Sequence, residues 1–200
     1  MRYDAAHKNR TRARILETAS LAFRERGVMA TGVDEVMRRA GLTHGGFYAH
    51  FRNKSELVAA ACAAGFESAV ENLNRIARLP TPRARVRALV SSYLGVKHRD
   101  NPAAGCLIAA LGGEASRLDA ESRAVYSEAL LRHRSRFAEA LRLSDDPVEN
   151  SRRVTSLLSL LVGALLFARS VNEPAESDRI LFETKQTALE LFAPSPAKRV

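Results

Sequence analysis

Apolar residues recur every three or four positions along almost the whole chain, and no strand-length stretch alternates apolar with polar. The pattern predicts an all-α protein without internal repeats. Ile15, Leu16, Ala19, Ala22 and Phe23 form one stripe of a helix over residues 7 to 26, which Gly27 stops. Thr31, with Asp34 three residues on, reads as the cap of a short helix that runs through residue 40 and ends at Gly41. Asn53 and Glu56 repeat that capping pattern ahead of a long helix from 54 to about 78, closed by Pro80 and Pro82. Helical stretches over 83 to 99, 104 to 117, 119 to 142, 148 to 171 and 177 to 192 follow, punctuated by NP, LD, SDDP and NEPAES; the tail PSPAKRV reads as loose. A boundary near residue 54 separates three compact helices, residues 1 to 53, from a bundle over 54 to 200. The helix from Lys54 joins the two mechanically.

Charge sharpens this division. The 200 residues carry a formal charge of +9. Residues 1 to 55 hold 11 Lys/Arg against 5 Asp/Glu, so the basic excess is concentrated in the first quarter and favours a polyanionic partner there. Cys62 and Cys106 are far apart and in no metal-ligand spacing, which implies no metal site and a reducing cytoplasm. The charged start MRYDAAHKNR is not a signal peptide, and the apolar run from 154 to 167 is shorter than the ~20 residues of a membrane span. No membrane partner is expected.

The segment GLTHGGFYAHF, residues 41 to 51, places two glycines inside a short helix. Helix 34 to 40, a break at Gly41 and Leu42, and a second helix over 44 to 50 give helix-turn-helix spacing, in which the second helix enters the DNA major groove. At 100° per residue Phe47, His50 and Phe51 fall on one arc, and His44, Gly45, Tyr48 and Ala49 on the opposite one. Phe47 and Phe51 would then pack on Ile15, Ala19 and Phe23. Gly45 gives up about 1 kcal/mol of helix propensity for close approach to the bases. Thr43 can cap the helix and reach DNA, His44 can meet a base edge, and Tyr48, Lys54 and the helix start capped by Asn53 suit phosphate oxygens.

Residues 11 to 57, TRARILETASLAFRERG followed by TGVDEVMRRAGLTHGGFYAHFRNKSEL, resemble the DNA-binding domain of the TetR family of transcriptional regulators. The pattern T-x-x-x-I-A-x-x-A-G-[VL]-[ST]-x-G-x-[FLI]-Y-x-[HY]-F-x-x-K-x-x-L is met at most positions, over about a quarter of the chain. Met37 stands where the family usually has alanine, and His44 occupies a position that varies with operator. The resemblance implies about nine or ten helices, a homodimer, a palindromic double-stranded DNA operator and repression relieved by a small-molecule effector. It makes Thr31, Thr43, His44, Tyr48 and Lys54 the expected DNA contacts, with 44 to 50 as recognition helix; Gly45 joins them through the close approach argued above.

For the C-terminal bundle the resemblance implies ligand binding and dimerisation through the last two helices. Residues 154 to 168 are apolar nearly all round, with Ser156, Ser159, Gly163 and Ala164 on spacings that permit close helix approach. The expected interface is Leu157, Leu160, Leu161, Ala164, Leu181, Thr184 and Ala188. Candidate pocket residues are Phe66, Tyr93, Cys106, Leu107, Leu111, Tyr126, Phe137 and Phe167, most of them reading as ordinary core and a minority as ligand contacts. His133, among Arg132, Arg134 and Arg136, reads as a surface residue, with a polar pocket group as the other reading. Cys106, at a helix start after Pro102 and Gly105, is either a small buried hydrophobe or a thiol made reactive by the helix terminus and open to electrophiles or oxidants. Cys62 reads as core.

No nucleophile elbow, phosphate loop or HExxH is present, and Glu114, Glu121, His133 and Glu139 are scattered, so the sequence reads as a non-enzyme that needs no cofactor. An architectural DNA-binding protein without an effector is the alternative to a ligand-responsive repressor.

Overall fold

A computed structural model describes residues 2–193; the PSPAKRV tail lies outside the described residues. Among these there are ten α-helices, one 3₁₀ helix and no strand: α1 (Arg2–Arg26), α2 (Val33–Arg39), the 3₁₀ helix (His44–Ala49), α3 (Lys54–Ser68), α4 (Val70–Ala77), α5 (Pro82–Tyr93), α6 (Val96–Asp100), α7 (Leu107–Ala115), α8 (Ala120–Leu141), α9 (Pro147–Arg169) and α10 (Pro174–Phe192). The all-α expectation holds.

The helices fall into two compact units, Met1–Ser68 with Pro102–Leu131, and Ala69–Asn101 with Arg132–Val200. In the first, α1, α2, the 3₁₀ helix, α3, α7 and the first half of α8 close over one apolar cluster centred on Phe23, Met37, Phe47, Phe51, Phe66 and Tyr126. Removing these side chains from water is the main stabilising term, at roughly 1.5 to 3 kcal/mol for each large one. In the second, α9 packs on α10 and α6, and α5 on α4 and α10, over Val86, Leu89, Leu157, Leu161, Leu165 and Leu181. α9 is the one described helix long and apolar enough to cross a membrane. It extends the 14-residue apolar run to 23 residues, and its first turns carry Glu149, Arg152 and Arg153.

Two long helices are each broken in two. The stretch 54 to 78 interrupts at Ala69, where Ser68 Oγ donates to the Gly65 carbonyl at 2.9 Å and competes with the helical ladder. The stretch 83 to 99 interrupts at Leu94 and Gly95, which caps α6 in an extended conformation. Capping differs as well. The N-cap of α2 is Gly32, not Thr31. Asn53 caps α3 as read, its Oδ1 accepting from the Glu56 amide at 2.8 Å, but Glu56 turns back to the Arg52 amide at 2.9 Å rather than to Asn53.

Candidate nucleic-acid interface

The second element of the helix-turn-helix is a single 3₁₀ helix rather than an α-helix, and the two arcs divide as the sequence reads. Phe47 and Phe51 are each 2% exposed and stack at 5.6 Å, inside the cluster that holds Ile15, Ala19 and Phe23. Thr43, His44, Gly45, Tyr48 and Ala49 are exposed, Tyr48 at 66%. The turn before them is made by Gly41 at φ +67°, a left-handed conformation that a side chain would strain. Met37 is fully buried, and a Cβ on Gly46 would make only an ordinary 3.7 Å contact with it, so the methionine fills its place without crowding the turn. Around Gly45, by contrast, nothing lies within 4 Å of where a Cβ would stand. Internal packing gives no reason for glycine there.

Not every expected contact faces outward. Thr31 is fully buried, and its hydroxyl donates to the Gly27 carbonyl at 2.7 Å, so it holds the α1 to α2 turn and offers nothing to DNA. Thr43 occupies the N-cap of the 3₁₀ helix, yet its hydroxyl makes no capping bond; the Gly46 amide donates to its carbonyl instead. The Lys54 ammonium, half-buried, donates to the Val28 carbonyl at 2.8 Å. His44 pairs through Nδ1 with Asp34.

Several participants went unread in the sequence. Arg39 bridges Glu25 (2.6 Å) and Glu35 (2.9 Å), and Arg26 meets Glu35 (2.8 Å), so α1 and α2 are cross-tied and these arginines are committed internally. Arg12 lies over the Phe51 ring at 4.3 Å. Burial, followed by Lys8, Arg12 and His7, holds the His50 imidazole below its usual range, which marks a basic edge beside the 3₁₀ helix. Apart from Arg39 with Glu35, an i,i+4 pair within α2, these contacts join separate elements, and helical periodicity carries no signal for them.

The pocket candidates do not assemble into one group. Phe66, Leu107, Leu111 and Tyr126 share the cluster of the first unit, with the Phe66 and Tyr126 rings edge-on at 5.5 Å. Cys106 is the half-buried N-cap of α7, whereas Cys62 is core as expected, its thiol pushed up to about 12 by burial. Tyr93 and Phe137 are buried in the second unit, whereas Phe167 is 65% exposed rather than buried with them. His133 is buried, edge-on to Phe137 at 4.9 Å, not at the surface: it sits one turn before Phe137 on the same face of α8, while Arg132 is exposed and Arg134 and Arg136 are half-buried. Five of the seven expected dimer residues are likewise turned inward. Leu157, Leu161, Ala164, Leu181 and Ala188 are buried within the chain's own unit, and Leu160 and Thr184 are half-buried. Among the residues that α9 and α10 expose instead are Ser156, Ser159, Gly163, Leu166, Phe167, Phe182 and Leu191.

Residues 15–61 match the model of the bacterial regulatory proteins of the tetR family. The HTH-type transcriptional regulator TtgR of Pseudomonas putida is 50% identical over 50 residues, 25% of this chain and 24% of TtgR; the match thus spans about a quarter of that relative's length. Among solved structures, E. coli NemR in its reduced form is similar with a TM-score of 0.76 and 22% identity, over 94% of this chain and 99% of that one. AibR in complex with isovaleryl coenzyme A and operator DNA is similar with a TM-score of 0.62 and 22% identity, over 92% and 100%. At that identity the structural likeness establishes the fold, and the sequence match falls on the helix-turn-helix.

Proposed function

We propose that this chain, which belongs to the TetR family of bacterial transcription regulators, is a cytoplasmic homodimeric repressor that binds a palindromic DNA operator and is released by a small-molecule effector. The division at residue 53 is the functional one: DNA binding before it, effector binding and dimerisation after it. The observation that carries the reading is the outer face of the 3₁₀ helix. His44, Gly45 and Tyr48 are exposed side by side, and nothing lies within 4 Å of where a Gly45 Cβ would stand, so this face can be approached closely by an external surface. AibR, of the same fold, is described with operator DNA and an acyl-coenzyme A, so the fold accommodates both kinds of partner.

Dimerisation fits the exposed stripe of α9, where Ser156, Ser159 and Gly163 permit close helix approach and Leu166 and Phe167 supply apolar surface, with Phe182 exposed on α10. Two copies related by a two-fold axis would set two reading helices about 34 Å apart. For the effector, the buried Tyr126 hydroxyl has no hydrogen-bond partner among the described residues and shares its cluster with Phe66, Leu107 and Leu111. That combination suits a largely apolar molecule with one acceptor. A second reading makes Cys106 the sensor. Arg24 donates to the Gly105 carbonyl beside it at 3.5 Å, and Cys106 is half-buried at the N-cap position of α7. If Cys106→Ser leaves the response of DNA binding to electrophiles unchanged, that reading fails.

A salt titration on a duplex selected by the protein tests the main proposal. Specific affinity should fall at least about tenfold between roughly 50 and 200 mM salt and exceed that for random duplex. Equal affinity for both duplexes at every salt concentration would favour an architectural protein.

A further inference from the structure

The turn between α1 and α2 is fastened from a third helix. Gly27 stands at φ +85°, and the successive amides of Val28 and Met29 converge on one point, an arrangement suited to an anion. That anion is the side chain of Glu114 in the last turn of α7: its Oε2 accepts from Val28 at 2.9 Å and from Met29 at 3.3 Å. Its Oε1 occupies the space beside Gly27, where any Cβ would collide with it. The carbonyls of the turn are also taken, Gly27 by Thr31 at 2.7 Å and Val28 by Lys54 at 2.8 Å. Glycine at 27 is therefore favoured by the backbone conformation, and any side chain there would also displace the carboxylate from its seat. Sequence spacing gives no hint of this, because 86 residues separate Glu114 from Val28.

We propose that Glu114 is a positioning residue for DNA binding. Its carboxylate sets where the chain leaves α1 and enters α2, and α2 in turn holds His44 of the 3₁₀ helix through Asp34. The inference rests on reading the 3₁₀ face as the DNA-binding face. It adds a route by which the C-terminal half acts on that face: α7 is preceded by Cys106 as its N-cap and carries Glu114 in its last turn. A shift of α7 draws the carboxylate out of the turn and releases α2.

The test compares full-length wild type, Glu114→Gln and Glu114→Ala at a temperature where circular dichroism shows all three folded. Affinity is measured for the duplex the wild type selects and for random-sequence duplex, and hydrogen exchange is followed at Val28 and Met29. Glu114→Ala should weaken selected-site binding about tenfold, and Glu114→Gln less, because its amide oxygen still accepts. Random-sequence binding should hold or rise slightly, since a negative charge is lost, and exchange at both amides should accelerate. A purely structural role would lower the melting temperature without moving the ratio of specific to random binding. An unchanged ratio overturns the proposal, as does unchanged exchange. If the wild type selects no sequence, the DNA-reading premise has failed and takes the positioning role with it; accelerated exchange in Glu114→Ala would then show the clamp to exist without that role.

Discussion

Nδ1 of His44 on the 3₁₀ helix pairs with the carboxylate of Asp34 on α2, across the turn made by Gly41. Both side chains are exposed, at 52% and 82%, so the pair adds little to stability. Its consequence is orientation: with Nδ1 engaged, Nε2 is the ring nitrogen left for a base edge. Asp34→Ala should leave the melting temperature nearly unchanged, raise affinity for DNA in general by removing a negative charge, and reduce discrimination at the base His44 meets. Competition among single-base variants of the selected duplex measures this. Undiminished discrimination would separate Asp34 from base reading.

Gly45→Ala should not destabilise the fold. The site is open and its φ is ordinary, so alanine's higher helix propensity, worth up to about 1 kcal/mol, should be neutral or stabilising. Affinity for the selected duplex should nonetheless fall at least about tenfold, a cost of about 1.4 kcal/mol, because the added methyl stands between backbone and bases. Chemical denaturation and a binding titration on the same preparation report the two effects separately.

Acid should weaken the fold through histidine. Burial is the first cause that lowers the pKa of both His50 and His98; for His50 the charges of Lys8, Arg12 and His7 add to it. Between the lowered folded value and the ordinary 6.5, the unfolded chain binds more protons than the folded one. Stability is therefore fully present above 6.5 and declines as pH falls through that window. Melting temperatures from about pH 8 to about pH 5 should show the decline, and His50→Gln should reduce it. If wild type and variant trace the same curve, His50 is not a contributor.

The two faces of α9 should respond oppositely to charge. Phe167→Glu, at an exposed position, should leave the monomer folded while shifting sedimentation from dimer to monomer. Leu161→Glu, at a fully buried one, should cost at least about 3 kcal/mol and compromise folding itself. A dimer that survives Phe167→Glu would place the interface elsewhere.

Much of the recognition element was legible because it depends on local rules. The glycine at 41, the capping asparagine at 53 and the 100° arcs of Phe47 and Tyr48 all follow from spacing of a few residues. What escaped depends on which helix lies beside which. The same periodicity that marks Leu157, Leu161 and Leu181 as apolar cannot say whether they face their own bundle or a second copy, and here they face their own. Thr31 has the composition of a cap, but its hydroxyl is claimed by the Gly27 carbonyl. Glu114 looked like one acid among several until the fold placed it against the Val28 amide.

Parallel selection of bound sites from random duplex DNA, by the wild type and by His44→Ala at one stated salt concentration, tests the central claim most directly. The account predicts that the wild type enriches a palindrome and that the variant keeps its half-site spacing while relaxing the preference at one symmetric pair of positions. The same preferred sequence from both proteins, or no enrichment from a folded wild-type dimer, would contradict it.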